Sequence, residues 1–465
     1  MLGAFARAFR TPDLRKKLLF TLGIIAVFRV GSAIPTPGVS YTNIRQCLEG
    51  NTSGGGLIGL ANMFSGGALL QLSIFALGIM PYITASIIIQ LLTVVIPRFE
   101  ALKQEGQSGT TKLTQYTRYL TIGLAILQSA TLITYARNPS QLFGPNCTTI
   151  MPDQSLTTVL IMVLTMTAGT GMIMWLGELI TERGIGNGIS LIIFAGIVVG
   201  LPSAIIRTIQ DVQIGSMGIL TAVLFVVFAI AVVAAIVLME RAQRRIPVQY
   251  AKRVVGRRMF GGQSTYLPLR LNTGGVIPVI FAASILSFPQ SIGQVVKHPI
   301  VQDITRRLAY GEPLYNLVYI VSIIFFCYFY TSIIFNPQDT AENMRKYGGF
   351  IPGIRPGQRT ADFIDMTLTR ITLVGAIYLS LVAILPEILI TGFKVSTIPF
   401  IGGTLDAFLP RWFTEGLGVQ FYFGGTSLLI VVGVAMDTVQ QIEAQMVMRH
   451  YDGFVKGRRI RGRRG

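Results

Sequence analysis

The chain has 465 residues, of which 51% are hydrophobic and only 13% charged, and its formal net charge is +18 at pH 7. Soluble globular domains carry about 25% charged residues, so this composition excludes one and points to a chain threaded repeatedly through a membrane. A bilayer core takes roughly 20 apolar residues per helix, and the surplus of base must lie outside it.

In chain order, the first predicted element is a span at about 18–34, preceded by Arg15, Lys16 and Lys17. The stretch RKKLLFTLGIIAVF imitates a secretory signal, with a basic start, an apolar middle and GSA at the cleavage position. Arg29 interrupts that middle and further apolar segments follow, so an uncleaved first span is expected. Next comes GGGLIGLANMFSGGALL (54–70), where two glycine clusters bracket an apolar piece of about one to two turns, too short to cross. The remaining spans are predicted at about 75–96, 119–135, 156–176, 189–206, 217–239, 276–292, 315–335, 371–390 and 421–438, ten in all. With no long linker between them, they predict an all-α polytopic protein of one membrane domain. Its halves are 1–206 and 217–440, followed by a basic tail at 441–465.

Several segments carry finer signals. In the second span Ile79 and Ile83 share a face, while Tyr82, Ser86 and Gln90 form a polar stripe beside it. GIGNGIS (184–190) lacks the Lys of a phosphate loop and predicts a tight turn opening the fifth span. The seventh segment is short, follows Asn272, Gly274 and Gly275, and contains Pro278, which predicts a weakly anchored, mobile element. Cys47, Cys147 and Cys327 are too few and too scattered to predict a disulfide framework. Cys327, inside a span, is expected to pack as a small apolar residue.

If the spans alternate from a cytoplasmic N-terminus, the inner segments hold 30 of the 39 Lys and Arg and the outer loops eight, with Arg29 remaining. With Asp437 and Glu387 counted on the sides where their spans end, the inner acids number 13 and the outer eight, so the net charges are +17 inside and 0 outside. This is the positive-inside asymmetry, and it assigns both termini to the cytoplasm. Insertion needs only one or two charges per loop. It does not account for eight in residues 240–275 against the single acid Glu240, nor for the tail KGRRIRGRRG. RAQRRIPVQYAKRVVGRRMF (241–260) alone supplies Arg244, Arg245, Lys252, Arg253, Arg257 and Arg258 without one acid. Anionic lipid headgroups and nucleic-acid phosphates both suit such a surface. Tyr250, Met259 and Phe260 among the charges, and the reach of the loop, favour a macromolecular partner for the loop and lipid for the tail.

Apart from Arg29, and from Glu387 and Asp437 near the ends of their spans, the predicted spans contain no Lys, Arg, Asp, Glu or His, which argues against a proton-coupled carrier. Sodium sites built from carbonyls and hydroxyls stay open. The histidines, His298 and His450, lie in loops, and neither an HExxH helix nor a pair of aspartates on neighbouring spans is present, which argues against an intramembrane hydrolase. No catalytic group, metal site or cofactor is expected.

NMFSGGAL (62–69), IFALGIMPYITASIIIQLLTVV (74–95), MWLGELITERGIGNGISLIIFAGI (174–197), RRIPVQYAKR (244–253), FNPQDTAENMRKYGGFIPGIRPG (335–357) and FYFGGTSLLIVV (421–432) together resemble the bacterial SecY family, pore subunits of the general protein translocase. The resemblance runs in order over nearly the whole chain. It implies two pseudo-symmetric five-helix halves around an hourglass pore in the bacterial plasma membrane. Unfolded polypeptides and their signal peptides would pass through it, and hydrophobic segments would leave sideways into lipid. It implies the partners SecE and SecG, with a ribosome or the SecA ATPase as motor. Ile79, Ile83, Ile193, Ile280 and Ile430 fall on the family's pore ring; Leu57, Ile58, Leu60, Asn62, Met63 and Phe64 fall on its plug; and Thr84, Gln128 and Asn272 fall on its lateral gate. The 240–275 loop resembles the ribosome-docking loop, and Arg355 in GIRPG matches the arginine of the second docking loop. A ring of branched aliphatic side chains closes on any sequence without specific bonds and dewets when empty. Two features depart from the family: a longer outer loop at 391–420, and Leu70-Gln71 where a basic residue usually follows the plug.

Overall fold

The computed structural model describes residues 11–50, 62, 65–137, 139, 147, 149–215, 218–250, 253–255, 258–260, 265–295, 298–309, 312–392, 414 and 425–457. Its helices are α1 (Pro12–Ala33), α2 (Tyr41–Gly50), α3 (Met80–Val95), α4 (Pro97–Gln104), α5 (Gln107–Arg137), α6 (Leu156–Arg183), α7 (Gly188–Ile214), α8 (Ile219–Arg241), α9 (Ile277–Val295), α10 (Pro299–Arg307), α11 (Pro313–Ile334), α12 (Pro337–Lys346), α13 (Gln358–Thr391) and α14 (Gly425–Gly457). Proline opens α1, α4, α10, α11 and α12, at the helix position where a missing N–H costs nothing and φ is already set. Internal Pro202, Pro289 and Pro386 are carried within α7, α9 and α13.

Every predicted span overlaps a helix, but not all are spans by length and apolarity. Among the described residues seven helices meet that test, and eight if α3 and α4, bent by 99° at their junction, count as one. α1 falls short because Arg15, Lys16, Lys17 and Arg29 interrupt it. α9 is apolar only over Ile277–Leu286. The second span becomes helical only at Met80, because residues 65–79 fold as successive turns with positive φ at Gly66, Gly67, Leu72 and Gly78.

The chain divides into two compact units, Met1–Arg207 with Val434–Gly465, and Thr208–Gly433. In the first, Leu72, Leu77, Leu132, Ile133, Met162 and Met166 form one apolar core, and Leu14, Leu18, Ile185 and Ile442 a second. α5 and α6 are also joined by a two-pronged ion pair: Arg118 donates through Nε and Nη2 to the Glu178 carboxylate at 3.0 and 2.7 Å. The 184–190 segment is the tight turn expected. Asn187 caps α7 by accepting from Ile189 N, and Gly188 sits where any side chain would run into the Gly177 carbonyl.

One sequence expectation is overturned: Cys47 and Cys147 are paired in a disulfide, with Cα atoms 5.4 Å apart across 100 residues of sequence. Spacing carries no trace of the pairing because tertiary contacts make it. Ile44 of α2 enters the core beside Cys147 and Ile150, while Ser40 N donates to the Ile150 carbonyl and Asn43 Nδ2 to the Thr149 carbonyl. Just beyond, Asp153 accepts from Ser155 N, Ser155 Oγ and Thr158 Oγ1, and these donors hold its carboxyl below the ordinary carboxylate value. Cys327 is free and buried, as expected.

In the second unit α9 packs on α11 through Phe281, which meets Phe326 and Tyr330 edge-to-face. α8 exposes Leu220, Leu224, Val227, Ile230 and Leu238, the surface of a helix solvated by lipid. Strands β1 (Gln243–Tyr250), β2 (Arg253–Val255), β3 (Arg258–Phe260), β4 (Thr265–Arg270) and β5 (Gly349–Phe350) add two small sheets to the otherwise helical chain.

Candidate docking surface, gate and pore positions

The basic 240–275 segment is an antiparallel hairpin. β1 pairs with β4 from Gln243 opposite Arg270 to Val248 opposite Thr265. From Arg245 to Gln249 its burial alternates, with Ile246 and Val248 inward and Arg245, Pro247 and Gln249 outward, the period of a half-buried strand, and Arg244 is exposed as well. β2 and β3 pair antiparallel in a separate two-stranded sheet, placing Arg253 opposite Phe260 and Val255 opposite Arg258. Lys252 and Arg257 lie outside the described residues.

The two basic loops are one structure. Gln249 and Tyr250 of β1 pair with Phe350 and Gly349 of β5, giving the strand order β4-β1-β5. Beneath the sheet Ile246, Leu269, Ile351, Ile364 and Ile371 form a shared apolar core. A side chain at Gly349 would press on the Tyr250 ring, so glycine admits β5 to the sheet edge. Arg355, in the loop that follows, is exposed, and its carbonyl accepts from Thr360 Oγ1 at 2.9 Å. Arg244, Arg245 and Arg270 thus stand exposed on the β4-β1-β5 sheet, and Arg355 stands exposed in the loop that follows β5.

In the first unit the turns at 65–79 are held at several points. Asn62 Oδ1 accepts from Leu70 N and its carbonyl accepts from Gly67 N and Ser65 Oγ. The Leu72 carbonyl accepts from Thr36 N and Thr36 Oγ1, fixing a residue whose φ of 44° is costly for a side chain. Arg29 Nη1 reaches from α1 to the Gly66 carbonyl at 2.6 Å and to Ser32 Oγ at 3.3 Å. A guanidinium therefore serves this turn even though Leu70-Gln71 lacks the family's base. Sequence reasoning missed this role; the signal was a lone Arg in an apolar span, which must find acceptors. Of the plug positions only Asn62 is described; Leu57, Ile58, Leu60, Met63 and Phe64 lie outside the described residues.

The gate positions separate. Thr84 and Gln128 are half-buried on α3 and α5 in the first unit, and Thr84 Oγ1 donates to the Met80 carbonyl of its own helix. Asn272 is buried in the second unit, where Nδ2 donates to Glu240 Oε1 at 2.6 Å and to the Gly275 carbonyl at 3.0 Å. The Gly375 position abuts the Leu271 carbonyl, so α13 packs against the same bend. The start of α9 is thus tied to the end of α8, an anchor absent from the sequence expectation.

The pore positions divide likewise, Ile79, Ile83 and Ile193 in the first unit and Ile280 and Ile430 in the second. Ile79 caps α3 and accepts from Ile83 N, so the shared face expected of this pair is real. Ile79, Ile83, Ile193 and Ile430 are buried and Ile280 half-buried.

Residues 73–439 match the family model described as SecY. The chain is 52% identical over 465 residues to "Protein translocase subunit SecY" of Streptomyces galbus, covering 98% of this chain and 100% of that one. Among solved structures it resembles "The structure of a protein conducting channel" with a TM-score of 0.61 at 17% identity, covering 93% of this chain and 92% of the other. It resembles Sec61 in the canine ribosome-channel complex from the endoplasmic reticulum with a TM-score of 0.58 at 17% identity over the same shares.

Proposed function

Because this chain belongs to the SecY family and is a subunit of a protein-conducting translocation channel rather than an enzyme, we propose the parts its residues play in that channel. The β4-β1-β5 platform and Arg355 are the cytoplasmic docking surface, for the RNA of a translating ribosome or for SecA. SecE and SecG complete the assembly in the bacterial plasma membrane, both termini of this chain are cytoplasmic, and its basic tail meets anionic lipid. Ile79, Ile83, Ile193, Ile280 and Ile430 form the constriction, the segment around 57–66 plugs it, and Thr84, Gln128 and Asn272 line the side exit for signal peptides and hydrophobic segments.

The observation that carries the docking reading is that two loops far apart in sequence are hydrogen-bonded into one sheet that leaves Arg244, Arg245 and Arg355 exposed. A fixed array of exposed guanidinium groups suits phosphate, which it holds bidentately with release of counterions. The Sec61 relative seen in a ribosome complex supports the choice of partner.

The test is co-sedimentation of the purified channel with ribosomes across a salt titration. Replacing Arg244, Arg245 and Arg355 by Glu should weaken binding at every salt concentration and flatten the log–log salt slope by about 0.9 for each phosphate no longer neutralised. An unchanged slope would remove RNA as the partner of this surface.

A further inference from the structure

We propose that Cys47 and Cys147 are oxidised in the mature protein by a thiol-oxidising protein on the outer side of the membrane, and that the bond locks α2 onto the segment before α6. The Cα separation of 5.4 Å lies within the range that a disulfide spans. Cys147 is buried in an apolar cluster with Ile44, Ile150 and Met151, whereas Cys47 is half-buried and reachable. Two hydrogen bonds flank the pair, Ser40 N to the Ile150 carbonyl at 3.0 Å and Asn43 Nδ2 to the Thr149 carbonyl at 2.8 Å. They align the two backbones independently of the sulfurs, so folding itself delivers one thiol to the other.

The compartment follows from chemistry, and rests on the orientation proposed above. Both cysteines fall in loops that the Lys and Arg asymmetry assigns to the outer side, where disulfides persist; in the cytoplasm they are reduced. Sulfur chemistry and the count of basic residues are unrelated properties, yet they point to the same face. Cys327, buried within α11, is remote from the pair in sequence and does not compete.

The reaction balances as thiol–disulfide exchange. The Cys47 thiolate attacks a disulfide of the oxidant, forming a mixed disulfide and freeing one oxidant thiolate. The Cys147 thiolate then attacks the Cys47 sulfur and expels the second oxidant thiolate. Two thiols of this chain have given two electrons to the oxidant, which leaves as a dithiol carrying the two protons.

The closed ring encloses α3, α4 and α5, and cross-linking so long a loop restricts the unfolded chain strongly. Reduction should therefore cost the folded protein more than the two flanking hydrogen bonds can restore.

Two measurements on the full complex test this. Maleimide-polyethylene glycol added after denaturation should attach once to the untreated chain, at Cys327, and three times after reduction. C47S and C147S should each show two attachments without reduction. Three attachments on the untreated wild-type chain would overturn the bond. Thermal unfolding should then show a midpoint lowered by roughly 5 °C or more on reduction of the wild type and unmoved in the C47S/C147S variant. Equal midpoints for reduced and oxidised wild type would overturn the lock. Sidedness separates this idea from the orientation it rests on: in sealed vesicles an impermeant reductant should open the bond from the outer face. A bond that opens only from the cytoplasmic face would sink the orientation and the outer oxidant while leaving the pairing intact.

Discussion

Arg29 lies in the apolar stretch of α1 and donates to the carbonyl of Gly66, 37 residues away in sequence. An Arg at the centre of a membrane helix costs about 2.5–3.5 kcal/mol on insertion scales, and a charge-assisted hydrogen bond returns about 1.5–3 kcal/mol. The bond therefore roughly offsets the cost, and it places a cation on the turn that follows the proposed plug. Replacing Arg29 by Met removes donor and charge together and leaves the Gly66 carbonyl without this partner. In planar bilayers without substrate, R29M should conduct measurably more than the parent, and R29K, which keeps the charge but not the planar fork, should fall between them. Indistinguishable resting conductance in all three would reduce Arg29 to a topological determinant. The sequence marked this residue only as an exception and marked Leu70-Gln71 as a missing base. That the two observations belong together is a matter of proximity, which spacing along the chain does not encode.

At the scale of elements, α9 was legible as short, glycine-preceded and proline-bearing, and the structure adds what holds its start. The Asn272 amide bridges Glu240 at the end of α8 and the Gly275 carbonyl within the bend. If α9 moves when the side exit opens, this anchor sets part of the balance between shut and open. N272L should shift that ratio by about 1 kcal/mol or more, several-fold in population. N272D should shift it further, because it sets one carboxylate against another, while E240Q keeps an acceptor and should be mildest. Translocation of reporters with weak signal sequences should change most across this series. A uniform response of weak and strong signals would make Asn272 packing only. The hairpin was also within reach of sequence reasoning, since RIPVQ (245–249) alternates outward and inward with period two. The net charge of the loop drew attention away from that pattern. Its union with β5 was not legible, because two residues, Gly349 and Phe350, make it from about 100 positions away.

At the scale of the molecule, each hydropathy window overlaps a helix because burial in lipid is a property of windows of sequence, while the short helices α2, α4, α10 and α12 fall outside those windows. Among the described residues seven helices, or eight with α3 and α4 taken together, are long and apolar enough to cross, and a hydropathy window does not register that residues 65–79 form turns. The pore positions test the largest claim. Ile79, Ile83 and Ile193 belong to one compact unit and Ile280 and Ile430 to the other. A translocating chain is chemically arbitrary, so the constriction needs bulk and apolarity but no particular bond. A dewetted neck resists ions through its radius and the poor wetting of its wall. Replacing Ile83, Ile193, Ile280 and Ile430 together by Gly should widen and wet the neck, and resting bilayers should show long-lived or flickering current. Replacing the same four by Leu keeps volume and apolarity, so current should stay near the parental level and translocation should continue. Thermal midpoints of both variants separate a leak from unfolding: the Gly variant must conduct while still folded at the assay temperature. A folded, silent Gly variant would mean that these side chains do not line the path, and the pore would have to be sought on other faces of the same helices.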